Sequence, residues 1–283
     1  MKKKSLAEIH AAVVLFGLAG LFGKWLDLSP FVIVLGRVFF ASLVLGLVLL
    51  FHGRRPGRGI KGRGDLPLFI LLGFILAVHW AAFFRSIQVS SVAVGLLSYA
   101  TFPFFTSFLE PLINKERWRS RHLYLSLGCL AGVFLIVPRF DPRHAVFQGV
   151  CWGVFAGLTF AVLTTLNRRL TSRHSAPVIA FFQDSFACVF LLPVAFVLKP
   201  QLNSRSLLLL AVLGVACTAL AHTLFIQGMK AVSARTASII SSLEPAYGAV
   251  LALLILSEVP SVRTIVGGAV IIGSSALASL TEA

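Results

Sequence analysis

The residues of this sequence best suited to chemistry are polar side chains that lie deep inside long apolar runs. His79 and Trp80 come about 12 residues into one run and share one side of a helix with Phe83, and His222 with Phe225 repeats this arrangement later. A histidine at that depth can donate or accept a hydrogen bond or take up a proton, so these residues are predicted to bind a polar solute or to take part in proton coupling. The alternative is a structural hydrogen bond to a neighbouring helix.

A second group of candidates precedes two prolines, Pro103 and Pro245, in the middle of apolar runs. Proline lacks a backbone N–H and so leaves one backbone carbonyl without its helical partner. The nearby hydroxyls of Tyr99 and Ser241 either donate to that carbonyl or line a polar cavity together with it. Glu244 lies directly before its proline, and a buried carboxyl group at that depth is able to exchange protons. We therefore predict binding or coupling roles for the hydroxyls and Glu244, and structural or gating roles for the prolines. A structural or gating role for Glu244 is the alternative.

Two ionisable residues of opposite charge occupy equivalent depths in the two halves of the chain. Arg37 follows Pro30 by seven residues, and Asp184 follows Pro177 by the same number. An unpaired charge in hydrocarbon costs several kcal/mol, so each residue needs a partner. The sequence predicts a structural or gating pair and leaves open a direct contact with a substrate or an ion. No metal site is predicted, because no third ligand accompanies the histidines at helical spacing.

The elements that position these residues follow from composition. The chain has 283 residues, of which 58% are apolar and 12% are charged, whereas soluble domains average about 45–50% and about 25%. A membrane-spanning helix needs about 20 mainly apolar residues. The sequence therefore predicts an all-α integral membrane protein with ten transmembrane helices and disfavours a soluble enzyme, a disordered chain and a disulfide scaffold. The predicted segments are 8–26, 30–51, 67–88, 91–113, 122–138, 147–167, 177–198, 206–228, 233–256 and 262–280.

The net charge of +15 does not indicate a nucleic-acid partner, because the basic residues lie in short loops between apolar runs. With the N-terminus in the cytoplasm, 17 lysines and arginines fall on the inner side and seven on the outer side. This bias predicts a multi-pass protein of a bacterial-type inner membrane with both termini in the cytoplasm. The loop charges are also expected to attract anionic membrane lipid.

The chain repeats itself at a shift of 142 residues. The matching positions are Ser91 with Ser233, Pro103 with Pro245, and Glu116 with Glu258. Each half contains five predicted helices, an odd number, so the second half must enter the membrane in the opposite direction. We predict two inverted-topology repeats, at residues 1–140 and 141–283, with a binding site where they meet near the middle of the bilayer.

One sequence pattern also resembles a known family. Leu243-Glu244-Pro245, followed by Leu256-Ser257-Glu258, resembles an "LEP…LGE" pattern, and the first half has Pro103 and Lys115-Glu116-Arg117 at the equivalent places. With its two repeats, the chain resembles the ten-helix EamA-type members of the drug/metabolite transporter superfamily. The resemblance implies a secondary transporter that works by alternating access through a central cavity. It further implies export of amino acids or related small metabolites.

Two alternatives to an exporter remain open at this point. An importer or facilitator of metabolites would show the same patterns, and an integral membrane enzyme acting on lipid is the alternative of another class. The sequence has no nucleotide-binding or cofactor-binding motif, so we expect no cofactor, no catalytic residues, and transport that is passive or driven by an ion such as the proton. One departure from the family pattern is Phe16, where members often have tryptophan before the first-helix glycine, Gly17.

Overall fold

The computed structural model describes residues 2–51, 65–114, 121–232 and 234–280, and in these ranges it is helical with no strand. The described helices form ten segments, in agreement with the predicted fold class. The uninterrupted ones are α1 (Lys2–Trp25), α2 (Pro30–Phe51), α3 (Leu66–Val89), α5 (Arg121–Ile136), α6 (Ala145–Leu170), α7 (Ala176–Leu198) and α10 (Val262–Leu280). The interrupted ones are α4a (Val92–Tyr99) with α4b (Phe102–Asn114), α8a (Ser204–Gly214) with α8b (Ala221–Gly228), and α9a (Ala234–Ser241) with α9b (Glu244–Leu256). Glu116 and Ser233, used above for the repeat, lie outside the described residues, as does the Lys115-Glu116-Arg117 match.

Seven stretches of the described chain are long and apolar enough to cross a membrane. They are residues 3–25, 30–51, 66–89, 92–113, 145–170, 176–198 and 204–228. The helical bounds extend beyond the predicted segments at several ends. α1 begins at Lys2 rather than near residue 8. The apolar run indicates only the part of a helix that lies in the lipid, and the helix itself can extend beyond that part.

The fourth segment is broken at Ala100 and Thr101, before its proline. Pro103 was expected in the middle of a continuous helix, but it is the second residue of α4b, where the missing N–H costs no intrahelical bond. The break is satisfied locally, because the hydroxyl of Thr101 donates to the carbonyl of Ser98 at 2.8 Å. Pro245 likewise is the second residue of α9b. Both prolines therefore begin half-helices instead of lying within a continuous helix. A hydroxyl satisfies a carbonyl at the α4 break, whereas α9b begins without a side-chain cap from the described residues.

The eighth segment contains a π-helical stretch, Val215–Leu220, between α8a and α8b. Its Thr218 hydroxyl donates to the Leu213 carbonyl, five residues earlier, at 2.8 Å. A π-helical turn within an α-helix changes the direction of the side chains that follow and is frequent at functional sites. The π-helical stretch ends two residues before His222.

The two halves pack with approximate two-fold equivalence. α2 lies against α7 and α5 against α10, while α3 packs on α6 in the same way that α8 packs on α1. Glycine faces permit the close central packing. A Cβ added to Gly157 of α6 would lie 2.8 Å from the Tyr99 carbonyl oxygen at the α4 break, and one on Gly17 of α1 would lie 3.1 Å from the Gly248 nitrogen in α9b. The centre of the molecule is thus formed by α1, α3, α4, α6, α8 and α9, with α2 and α7 closing one side.

Candidate functional site

A cluster of aromatic rings occupies the centre where helices of both halves meet. Phe16 of α1 contacts Trp80 of α3 and Phe225 of α8b, with ring centroids 6.5 Å and 5.7 Å away. Phe225 contacts Phe160 of α6 at 5.7 Å, and Phe160 contacts Tyr99 of α4a at 5.3 Å. Five helices therefore contribute to one continuous aromatic surface.

His79 lies inside this cluster, with ring contacts to Trp80 at 4.8 Å and Phe160 at 5.3 Å, and it also contacts Tyr99 and Phe83. Its Nδ1 is 3.0 Å from the carbonyl oxygen of Ala156. A carbonyl only accepts, so Nδ1 carries the proton and Nε2 is an acceptor in the neutral ring. Within the described structure Nε2 has no hydrogen-bond partner. The histidine thus has the structural bond that we considered and, in addition, one free acceptor.

Arg37 of α2 is the charged group of the cluster. Its guanidinium carbon lies 3.5 Å above the centroid of the Trp80 ring, a cation–π geometry. Its Nε donates to the Thr218 hydroxyl at 2.9 Å, and one terminal nitrogen donates to the Cys217 carbonyl at 3.2 Å. Both acceptors belong to the π-helical stretch of α8. That stretch therefore fixes the orientation of the guanidinium.

Three further polar candidates lie close enough to this guanidinium to interact with its charge. Asp184 and Glu244 interact electrostatically with Arg37, and so does His222. Several buried polar atoms on α2, α3, α4a, α7, α8b, α9a and α9b have no hydrogen-bond partner among the described residues. They are Arg37 Nη1, Trp80 Nε1, Ser98 Oγ, both carboxylate oxygens of Asp184, His222 Nδ1, Ser241 Oγ and Glu244 Oε2.

The predicted site residues are all buried in this structure. His79, Trp80, Phe83, Tyr99, His222, Phe225, Ser241 and Glu244, with Arg37 and Asp184, are at most 4% exposed. We call these ten residues the central site. These side chains together have almost no solvent-accessible surface in this structure. Pro103 and Pro245 begin the half-helices α4b and α9b; Pro245 adjoins Glu244.

The sequence did not single out three contributors to the centre. Phe160 lies three residues after Gly157 and seven after Gly153, on the glycine face of α6, and this spacing could have indicated it. Thr218 precedes His222 by four residues and so shares its helix side. Phe16 was noted only as a departure from a family pattern.

A separate apolar cavity of about 240 Å³ lies between α2, α7 and α8a. Its lining includes Leu35, Phe39, Leu192 and Leu207. The last three of these are exposed on the outside of the helix bundle, so the cavity is a groove on the apolar exterior. Among the described residues, no group of three or more His, Cys, Asp or Glu side chains is placed to hold a metal ion.

The sequence profile of the EamA-like transporter family matches the chain twice, at residues 6–137 and 147–280. The chain belongs to the EamA-like transporter family. It is therefore a membrane transporter with two repeats, a member of the drug/metabolite transporter superfamily.

Several relatives align with this transporter over most of its length. The uncharacterized transporter YxxF of Bacillus subtilis is 25% identical over 282 residues, covering 98% of this chain and 90% of the relative. The uncharacterized inner membrane transporter YicL of Salmonella typhimurium is 26% identical and covers 98% and 96%. The S-adenosylmethionine uptake transporter of Rickettsia felis is 25% identical and covers 87% and 81%. A solved crystal structure superimposes with a TM-score of 0.71 over 99% of this chain and 98% of the other, at 19% identity, and shows the same fold.

Proposed function

We propose that this transporter is an alternating-access carrier that exports amino acids or related small metabolites across a bacterial-type inner membrane, with both termini in the cytoplasm. The observation that supports the proposal is the central site itself. It contains residues of both halves, combines aromatic walls with polar atoms that lack partners among the described residues, and is buried. Buried polar atoms without partners cost free energy, so their concentration at one place favours a polar ligand there.

The proposed mechanism has the two halves rocking about the central site. Trp80 and Phe225 would contact the apolar part of the solute, and the free acceptor of His79 and the hydroxyl of Ser241 its polar part. A bound solute shifts the balance between the inward-open and outward-open states only if its affinity for them differs. A site built from residues of both halves would bind the solute with different affinity in the two states, because the distance between those residues changes when the halves move.

Proton coupling is the finer part of the proposal. Glu244 and His222 are buried beside Arg37 and change charge when they bind or release a proton. A proton that alternates with the solute at such groups would link transport to the pH gradient. The sequence carries no nucleotide-binding motif to supply energy in another way.

Uptake is the second candidate direction. The relative from Rickettsia felis is named an S-adenosylmethionine uptake transporter. A buried central site is compatible with transport in either direction, so the flux measurement must be made both ways. S-adenosylmethionine therefore belongs in the panel of solutes.

The test is flux in proteoliposomes with a panel of amino acids and S-adenosylmethionine, in both directions, with and without a pH gradient. His222→Ala and Trp80→Ala are expected to abolish flux and to leave a folded protein that elutes as a single species in detergent. Their matched controls are His10→Ala and Trp152→Ala, because both side chains are exposed on the outside of the described structure. Normal flux in both central variants would remove the central site from the pathway. Turnover of a membrane lipid with no solute flux would favour the enzyme alternative.

A further inference from the structure

Arg37 and Asp184 form a pair of buried opposite charges that do not touch. Both side chains are completely buried, and each lies in the electrostatic field of the other. No ion pair within 4.0 Å and no hydrogen bond joins them, although both residues are described by the structure. The structural pair that the sequence predicted is therefore not formed here. Each charge has an unsatisfied side.

The free side of Arg37 is held in a defined orientation. The guanidinium donates through Nε and Nη2 to Thr218 and Cys217, and one of its faces lies against the Trp80 ring. Nη1 has no hydrogen-bond partner among the described residues. A guanidinium prefers to bind carboxylates through its planar N–H groups, and an orientation set in advance lowers the entropy that binding costs. The open edge of Arg37 is thus suited to an anionic group of a ligand.

Asp184 offers the complementary chemistry. Neither of its carboxylate oxygens has a partner within the described structure. The adjacent Gln183 is engaged elsewhere, because its amide nitrogen donates to the side-chain oxygen of Asn167. A buried carboxylate without hydrogen bonds is costly unless a cation or a donor completes it. An ammonium group supplies both a positive charge and N–H donors.

We propose that Arg37 and Asp184 are the two anchors for a zwitterionic solute: the carboxylate of the solute contacts Arg37, and its ammonium group contacts Asp184. This inference rests on the proposed function and specifies the ligand class of the central site. Arg37 belongs to the first half and Asp184 to the second. A solute that touches both charges connects the halves and favours the closed state, because it satisfies both charges only when they are near each other. The neighbouring rings accommodate an apolar side chain of the solute.

The experiment measures binding to the purified full-length protein in detergent, by thermal shift and by isothermal titration. The probes are L-leucine, L-methionine and L-phenylalanine, each compared with its amide, which lacks the carboxylate, and with its deaminated acid, which lacks the ammonium. The proposal expects both analogues to bind about ten- to a hundredfold more weakly than the amino acid, the range expected for one charge-assisted hydrogen-bonded contact. An amide or a deaminated acid that binds as well as its parent overturns the proposal.

Two variants assign the anchors. In Arg37→Gln the amide and the amino acid should bind equally, and in Asp184→Asn the deaminated acid and the amino acid should bind equally. Arg85→Gln and Asp27→Asn, both on the exposed surface, are the matched controls and should keep the original preference. If Arg37→Gln does not fold, Arg37→Lys, which keeps the charge but lacks the planar edge, should weaken amino-acid binding more than amide binding. Retention of the wild-type preference in every folded anchor variant contradicts the assignment.

Failure of this inference can be distinguished from failure of the proposed function. If proteoliposomes transport amino acids but the folded Arg37 and Asp184 variants keep the wild-type binding preference, the transporter works as proposed and the anchors are wrong. If no solute of any class crosses the membrane in either direction, the proposed function itself fails.

Discussion

Glu244 shows how a single carboxyl group is accommodated in the centre of this transporter. It is buried, begins α9b, and lies in the field of Arg37. The N-terminal end of a helix carries partial positive charge, so both the helix and the guanidinium favour the ionised form. The surrounding apolar packing favours the neutral form. A group under these opposing influences is suited to the proton-coupling role that we propose for it.

The first prediction concerns this carboxyl group. Glu244→Gln keeps the size and the hydrogen-bonding capacity of the side chain but cannot titrate. We expect a solute gradient to drive flux through the variant, whereas an imposed pH gradient no longer does. The measurement is proteoliposome flux under each gradient separately. Glu8→Gln is the control, because Glu8 forms a peripheral pair with Lys4. If flux through Glu244→Gln still responds to the pH gradient, Glu244 is excluded as the coupling group.

At the scale of elements, the short half-helix α4a depends on contacts at its first turn. An eight-residue helix has little intrinsic stability, because its first N–H groups need partners from elsewhere. Ser91 accepts from the Val94 nitrogen at 3.0 Å. Glu258, which follows α9b in the other half, accepts from the Val92 nitrogen through both carboxylate oxygens, at 3.0 and 3.1 Å. The second half of the chain thus caps a helix of the first half.

The second prediction follows from this cap. Glu258→Ala removes the acceptor and the negative charge at the N-terminus of α4a, which costs about 0.5–2 kcal/mol in comparable caps. We expect amide hydrogen exchange in α4a to become about two- to thirtyfold faster, as measured by mass spectrometry on protein in nanodiscs. Glu258→Gln keeps one acceptor oxygen and should recover much of the protection. Unchanged exchange in the alanine variant would show that Ser91 alone stabilises this turn.

The third prediction compares two glycines. At Gly157 an added methyl group would lie 2.8 Å from both the Tyr99 carbonyl oxygen and the Thr101 hydroxyl, whereas at Gly273 of α10 it would meet nothing within 4 Å. Gly157→Ala should lower the free energy of unfolding by about 1–3 kcal/mol, the usual cost of overpacking. Gly273→Ala should be neutral or slightly stabilising, because alanine favours the helix. Denaturant unfolding in detergent measures both; equal losses would mean that α6 can move away from the α4 break.

At the scale of the whole molecule, the two halves are also joined at a face far from the central site. Asp65, directly before α3, accepts a hydrogen bond from His174 Nε2 at 2.8 Å and pairs with Arg173 at 3.2 Å. Both partners lie in the connection between α6 and α7. The hydrogen bond from His174, followed by the positive charge of Arg173, lowers the pKa of Asp65 below its usual value. This cluster connects the first half to the second.

The fourth prediction is a pH dependence of stability. A carboxyl group whose pKa is lower in the folded state than in the unfolded state stabilises the protein at any pH above the unfolded-state pKa, about 3.9 for aspartate. This stabilisation is lost as the pH falls through the pKa of the group in the folded state. Asp65→Asn should therefore melt at a lower temperature than the wild type at pH 7, and the difference should shrink below about pH 4. Thermal unfolding in detergent across this range tests it, with the exposed Asp27→Asn as control. A difference that is independent of pH would show that the Asp65 charge makes no contribution.

Several features of this transporter could be predicted from the sequence alone. The excess of apolar residues predicts a membrane protein, the lengths of the runs predict ten helices, and the matches at a shift of 142 residues predict two repeats. Depth within a run also selected His79, His222 and Glu244 as candidates, and all three are buried in the structure, while their roles in binding or coupling stay predictions. The fold class and the membership of a transporter family could be predicted because hydrophobicity and distance along a helix are local properties of the chain.

Only the tertiary structure decided which groups meet. Arg37 was expected to pair with Asp184, yet it contacts Trp80 and the π-helical stretch of α8. Phe160 also packs in the central aromatic cluster, although the sequence analysis did not select it. A helix that is apolar on all sides has no polar stripe to set its rotation, so sequence cannot tell which face points inward. Rotation and register are set instead by close packing at small residues such as Gly157 and by breaks such as that before Pro103, and both depend on the neighbouring helices.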